Sequence, residues 1–264
     1  TGVQTCALPI WPEKTIQGEL GLQQQISYNM ALDITAYFRD IRDLAGTRSE
    51  EITLFGGSAS YNRLENSDFA YVRGLVLSLS MIETNGFSAS LDYTFQIAKG
   101  SASDPQQARN AIAGGSLPEI QLTPLDWDQR NTVNVSLSYD RANWGISGIG
   151  QFGSGLPYTP LSTEDISSLV LNSGKKPLTW NVDLKGYFIP RDGLRLFIRA
   201  ENIFDKLNPY TVYDDSGVAD FTRWENIAKS QNTGEPVNSI SKWFLNETFY
   251  SNPRRIELGL SYVF

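Results

Sequence analysis

Apolar and polar residues alternate along most of this chain. From Arg255 to Phe264, Ile256, Leu258, Leu260, Tyr262 and Phe264 fall on one face of an extended strand, and Arg255, Glu257, Gly259 and Ser261 fall on the other. The same period of two recurs upstream. Ile16, Leu20, Leu22 and Ile26 share a face, as do Met30, Leu32, Ile34, Ala36 and Phe38 against Asp33, Thr35, Tyr37 and Arg39. The pattern continues through Leu75, Leu77, Leu79 and Met81, then Leu91, Tyr93, Phe95 and Ile97, then Val133, Val135, Leu137 and Tyr139. It predicts strands over residues 16–26, 30–42, 69–83, 87–97, 126–140, 144–156, 178–189, 194–206 and 252–264. Short turns are expected at Tyr28-Asn29, Thr84-Asn85-Gly86, Arg141-Ala142-Asn143 and Arg191-Asp192-Gly193. Residues 43–67, 99–124, 157–176 and 207–250 read as long loops, the first with room for a small hairpin.

Strands of this length exceed the roughly 5–6 residues usual in globular proteins and suit a tilted crossing of a bilayer. Short and long connections also alternate. In an up-and-down sheet that places every short turn at one edge and every long loop at the other. The expected fold class is therefore all-β: an antiparallel up-and-down transmembrane β-barrel with short periplasmic turns and long extracellular loops. Its first and last strands both run towards the short turns, so the strand number is odd, whereas single-chain bacterial barrels have even numbers. The chain thus reads as part of a larger barrel, an open wall with two unpaired edges. A soluble β-sandwich is the competing reading of alternation alone.

Composition narrows the chemistry. The 264 residues carry a net charge of −7 and a pI near 4.8, which argues against a nucleic-acid surface. Mean hydropathy is −0.28 and no apolar run approaches the length of a membrane helix; half-apolar barrel strands escape that test. The absence of histidine excludes Ser-His-Asp and Cys-His catalysis and histidine-ligated metals. No phosphate loop or dinucleotide fingerprint is present, and the acidic runs Asp214-Asp215 and Ser49-Glu50-Glu51 lack calcium-loop spacing. Neither an enzyme nor a bound cofactor or metal is expected. Residues 1–10, which include the single cysteine Cys6, resemble a translated sequencing adapter and are expected to be non-native, leaving residues 11–264 as the folding unit.

Several segments resemble the C-terminal part of the β-barrel of TonB-dependent outer-membrane receptors. They are Trp11-Pro12-Glu13-Lys14-Thr15 leading into Glu19-Leu20-Gly21, Asp33 to Ile41, Tyr71-Val72-Arg73-Gly74-Leu75, Gly153 to Pro160, Ala200-Glu201-Asn202-Ile203-Phe204-Asp205, and Pro253-Arg254-Arg255 to Phe264. The resemblance implies a 22-stranded barrel closed by an N-terminal plug, of which these would be the last nine strands; the plug and the TonB-contacting segment are expected to lie outside this sequence. It implies energised uptake of a scarce solute such as a siderophore, cobalamin or carbohydrate. The implied partners are outer-membrane lipid, the TonB complex through the plug region, the barrel-assembly machinery and a small-molecule solute. A passive porin-like barrel is the alternative within the membrane.

Three groups of residues are candidates for function. Asp183, Lys185, Arg195, Arg199, Glu201, Arg255 and Glu257 fall on the inner face of three successive strands. They could contact a plug or line a solute path, or neutralise one another across the wall. Tyr210, Tyr213, Trp224, Trp243, Phe244 and Phe249, with Arg223, lie in the longest loop and could stack on a ligand or pack to order the loop itself. Tyr262 and Phe264 resemble the C-terminal signal read during barrel assembly, and both also fit a lipid-facing aromatic girdle.

Overall fold

A computed structural model describes residues 10–47, 52–57, 59–61, 64–102, 122–161, 171–232 and 240–262. In chain order the strands are β1 (Lys14–Ser27), β2 (Met30–Thr47), β3 (Ile52–Leu54), β4 (Ala59–Tyr61), β5 (Leu64–Thr84), β6 (Phe87–Gly100), β7 (Thr123–Pro124), β8 (Asn131–Asp140), β9 (Trp144–Gly153), β10 (Pro157–Tyr158), β11 (Gly174–Lys175), β12 (Thr179–Arg191), β13 (Leu194–Glu201) and β14 (Arg255–Tyr262). Two short helices, α1 (Arg223–Gln231) and α2 (Ile240–Phe244), lie between β13 and β14.

Nine strands form one antiparallel meander in the order β1-β2-β5-β6-β8-β9-β12-β13-β14, with β7 paired to the end of β6. β3–β4, with three residue pairs, and β10–β11, with two, are two-stranded ribbons in the long loops, the first being the small hairpin expected within 43–67. β1 pairs with β2 and β14 with β13, so the wall is open at both edges among the described residues. The hairpin turn at Asn85-Gly86 has φ of 54° and 87°, the left-handed pair that matches the twist of the flanking strands.

Register carries each face across the whole sheet. One polar row runs Gln23–Asp33–Ser78–Asp92–Asn134–Gln151–Asn181 across seven strands, because each residue is the direct partner of the next. The opposite face is apolar and aromatic. Phe87 and Phe95 on β6, Trp144 and Phe152 on β9, and Trp180 and Phe188 on β12 are each eight residues apart on this face. They align across strands: Phe87 opposes Tyr139, Trp144 opposes Phe188, and Phe152 opposes Trp180. Eight residues span about 26 Å along a strand, or ~20 Å of height at the usual tilt, which approximates the apolar band of an outer-membrane barrel.

The burial pattern is the reverse of a soluble domain's. Leu20, Leu258 and Leu260 on the apolar face are 78%, 80% and 64% exposed. The total accessible surface is 18042 Å², against about 11,500 Å² for a compact monomer of this mass. Neither face is covered by a second sheet among the described residues, which is inconsistent with a β-sandwich. A small buried cluster forms on the polar face at the long-loop end, where Leu125 folds down onto Ala70, Val72 and Ala98.

Strand ends differ from the sequence expectation in ways that have local causes. β2 and β5 extend into the expected first loop, reaching Thr47 and Leu64, with register shifts after Ile41 and Leu44. β8 begins at Asn131 rather than 126, because residues 125–130 turn inward around Asp128. β13 ends at Glu201 rather than 206, because Asn202 and Asp205 adopt positive φ (50° and 54°) and turn the chain. Asp205 is therefore a turn residue that accepts the Arg254 N–H, not an inward strand residue, while Phe204 packs edge-on against Trp180 at 5.5 Å. The 207–250 loop contains α1 and α2, which the alternation did not predict.

Candidate functional site: a polar wall capped by interlocked loops

The seven candidate charges all lie in or beside the last three strands, and register brings most of them together. Lys185 opposes Arg199, Arg199 opposes Glu257, and Glu201 opposes Arg255. The Glu257 carboxylate lies 3.7 Å from Arg199 Nη1 and contacts Arg255 as well. One acid thus stands between two guanidinium groups, with Lys185 one strand further along the row. Asp183 accepts hydrogen bonds from Asn181 Nδ2 and the Asn202 backbone N–H, both at 2.8 Å, so it anchors the turn after β13. Arg195 lies 4.0 Å above the Tyr187 ring, and the Tyr187 hydroxyl donates to Asp140 at 2.8 Å. The wall is locally balanced in charge, and it is open: Arg199 and Arg255 keep 46% and 67% of their side-chain surface.

Long loops close over one end of this wall by bonding to it and to each other. Asn208 does this with a side-chain amide: its Nδ2 donates to the Trp180 carbonyl at 2.8 Å and its Oδ1 accepts the Trp180 N–H at 3.0 Å. These are the two ladder bonds that β12 would lack once β13 has turned away at Asn202. Asn202 is buried and ties both ends of the loop, donating to the carbonyls of Lys206 and Asn252. Lys176 Nζ donates to the Tyr210 carbonyl at 3.0 Å, and the Leu161 N–H donates to the Asp214 carbonyl at 3.0 Å, joining the β9–β12 loop to the β13–β14 loop. The buried Asn172 amide reaches the Pro124 carbonyl at 2.8 Å and Asp126 at 2.7 Å, joining it to the β6–β8 loop. Asp128, 2% exposed, accepts from the Ala98 N–H and from Arg130 and so fixes the inward turn before β8.

The loop aromatics divide into two sets. Tyr213 and Phe249 pack with ring centroids 5.0 Å apart, and the Tyr213 hydroxyl donates to the Phe244 carbonyl; these residues order the loop. Desolvation, followed by the nearby carboxylates of Glu225 and Asp215, pushes the Tyr213 hydroxyl above the usual tyrosine range. Trp224, Tyr210 and Trp243 are exposed, Trp243 at 84%. The two tryptophans project from α1 and α2; the Glu225 carboxylate pairs with Lys229 within α1 (2.7 Å) and accepts from the Ser241 hydroxyl of α2, which links the two helices. Arg223 is also exposed, and its N–H donates to Asp215. Tyr262 sits at the short-turn end of β14, 44% exposed on the apolar face, with Arg191 over its ring at 5.9 Å. Phe264 lies outside the described residues.

The anchoring residues Asn172, Asn202, Asn208 and Asp128 do not stand out in the sequence, since each acts through a long-range bond. Among the described residues no group of acids and thiols is placed to hold a metal ion.

Comparison with known proteins places this geometry. A family model described as TonB dependent receptor-like, beta-barrel matches residues 11–203. No curated protein matches by sequence. Similar solved structures include the Escherichia coli outer membrane transporter YddB, with a TM-score of 0.64 at 11% identity over 96% of this chain and 33% of that one. The ferripyoverdine receptor of the Pseudomonas aeruginosa outer membrane bound to ferripyoverdine gives 0.59 at 12% identity over 96% and 27%. The copper transporter OprC gives 0.52 at 16% identity over 97% and 32%. These identities establish a shared fold, and this chain spans about a quarter to a third of the length of those proteins.

Proposed function

Because the chain belongs to the TonB-dependent receptor β-barrel family, we propose that it forms the C-terminal wall and loops of an outer-membrane receptor for energised uptake of a scarce solute. The single observation that carries this reading is the family match across residues 11–203. In it, the apolar face meets lipid and the polar face lines the lumen. The short turns lie in the periplasm and the interlocked loops face the exterior.

Each part of the site has a physical task in this reading. The Arg199–Glu257–Arg255 group and Lys185 keep the lumen wall hydrated and balanced, so that a charged solute or a plug segment can exchange partners along it without meeting an isolated buried charge. Trp224 and Trp243 offer flat, exposed ring faces to a ligand arriving from outside, with Tyr210 and Arg223 nearby in the same loop. Tyr262, together with Phe264, serves as the terminal signal for barrel assembly and as part of the lipid girdle. The ligands named for two structural neighbours, ferripyoverdine and copper, are candidates for the class of solute. TonB would act through a plug encoded outside this sequence.

The test uses the full-length receptor in its own host. Accumulation of the cognate labelled solute should be lost when TonB is absent or the proton gradient is collapsed. Undiminished accumulation in a TonB-deficient strain would instead identify a passive pore. In the intact strain, Trp224→Ala with Trp243→Ala should raise the solute concentration needed for half-maximal uptake while leaving the amount of receptor in the outer membrane unchanged.

A further inference from the structure

Charge is balanced over the last three strands as a whole, but not along one row of the polar face. Register sets Ser88, Ser138, Ser147, Lys185, Arg199 and Glu257 side by side across β6, β8, β9, β12, β13 and β14, each the direct partner of the next. Lys185 and Arg199 therefore face each other with no acid between them. Direct cross-strand partners hold their Cβ atoms about 4.5–5.5 Å apart, and like charges so placed destabilise the pair. Lys185 follows Leu184, which lies midway between Trp180 and Phe188 of the apolar band, so the two cations meet at mid-depth of the wall.

The neighbouring acids do not relieve this contact. Glu257 is shared, since it contacts Arg255 and also lies 3.7 Å from Arg199 Nη1. Asp183 gives one carboxylate oxygen to both Asn181 Nδ2 and the Asn202 N–H. Glu201 opposes Arg255 in register. Among the described residues Lys185 has no ion-pair partner, and both it and Arg199 are exposed. On its other side Lys185 meets hydroxyls: Ser147 is its direct partner, and Ser88 and Ser138 bond to each other at 2.7 Å. Two opposed cations with a hydroxyl beside them form a set of donors that an oxyanion would complete.

We propose that Lys185, Arg199 and Ser147 form a binding station, halfway along the lumen wall, for an oxyanion group (carboxylate or phosphate) of the transported solute. The inference rests on the uptake reading above and adds to it the chemical class of the solute. The Arg199 fork can take two oxygens, Lys185 supplies a compact second charge, and the Ser147 hydroxyl supplies a neutral donor. An anion between the cations replaces their repulsion with two attractions. Beyond Ser147 the row continues through uncharged donors, so an oxyanion leaving the cations meets no carboxylate at Ser138 or Ser88. That continuity suits an occupant that moves on over one that stays. The competing occupant is a carboxylate fixed on the plug, which would keep the station filled at rest.

The measurement is the thermal midpoint of the detergent-solubilised full-length receptor at low ionic strength, with tricarballylate, pyrophosphate or the neutral trimethyl ester of tricarballylate. At least one anion should raise the midpoint, and which one does so distinguishes a carboxylate from a phosphate; the ester should not raise it. K185Q should raise the midpoint without anion, because it removes the repulsion, and should weaken the dissociation constant for that anion about 10-fold. K185R should respond as the parent does. So should R141Q/K175Q, which loses two charges away from the lumen wall. A K185Q midpoint below the parent's without anion would mean that a fixed carboxylate already fills the station, and would overturn the proposal. No rise with either anion, an equal rise in K185Q, or a rise with the ester would each overturn it too. The uptake reading fails separately, through accumulation that does not need TonB. TonB-dependent accumulation by a receptor whose K185Q variant binds the anion as the parent does overturns the station alone.

Discussion

Gly259 lies directly opposite Phe197 on the polar face, and a methyl group at Gly259 would fall 2.1 Å from the end of the phenyl ring. Tyr37 covers Gly74 and Tyr187 covers Gly145 in the same manner, each as a direct cross-strand partner. The rings shield backbone that glycine would leave bare, and the missing side chain makes room for the ring. Gly259→Ala should therefore displace Phe197 and lower stability by about 1–3 kcal/mol, read as a fall in the thermal midpoint of the detergent-solubilised receptor. In a Phe197→Ala background the same substitution should cost much less, so the two changes should be clearly non-additive. These pairs were not legible in the sequence, because they depend on register. What was legible is which face each residue occupies: Lys185, Arg199, Arg255 and Glu257 fall on the polar face as the period of two required. That Glu257 would stand between two arginines was decided by strand pairing.

At the scale of elements, the long loop between β13 and β14 is held by few, specific bonds. Asn208→Ala would leave the Trp180 N–H and carbonyl without their partners and should cost about 1–3 kcal/mol locally. The check is hydrogen exchange, in which the Trp180 amide and the adjoining loop should lose protection while the central strands keep theirs. The α1–α2 pair has a pH dependence with a definite sign. The Glu225 carboxyl is held below its usual range, first by its bond to Lys229 and then by the Ser241 hydroxyl. A lowered folded pKa means that the contribution is present above the unfolded value and is lost as pH falls through the folded one. Protease cleavage between α1 and α2 should thus accelerate as the pH drops below the usual carboxylate range, and Glu225→Gln should remove that dependence. The helix itself carried a sequence signal that alternation overlooks. Thr222-Arg223-Trp224-Glu225 has the capping-box pattern, and Thr222 does cap the Trp224 N–H.

For the whole molecule, the exposed apolar face and the aligned aromatic rows set what the surroundings must be. Leu184 lies midway between Trp180 and Phe188, at the centre of the apolar band. In the receptor reconstituted into lipid, Leu184→Arg should cost ~2–4 kcal/mol, while Ser136→Arg on the polar face should be nearly neutral; the urea midpoint of each variant checks this. The sequence alone determined the fold class, the nine long strands, the four short turns and the two faces, because each follows from a period of two and from local turn chemistry. It also excluded histidine-dependent chemistry by composition. Tertiary structure alone decided where β13 stops and how Asn208 completes the edge of β12. It also decided which long loops join, and which loop aromatics pack and which stay exposed. The physical reason is separation along the chain. Alternation is written in neighbouring residues, whereas Asn172 to Asp126, Asn202 to Asn252 and Lys176 to Tyr210 are bonds between distant segments that exist only once the sheet has brought the loops to one end.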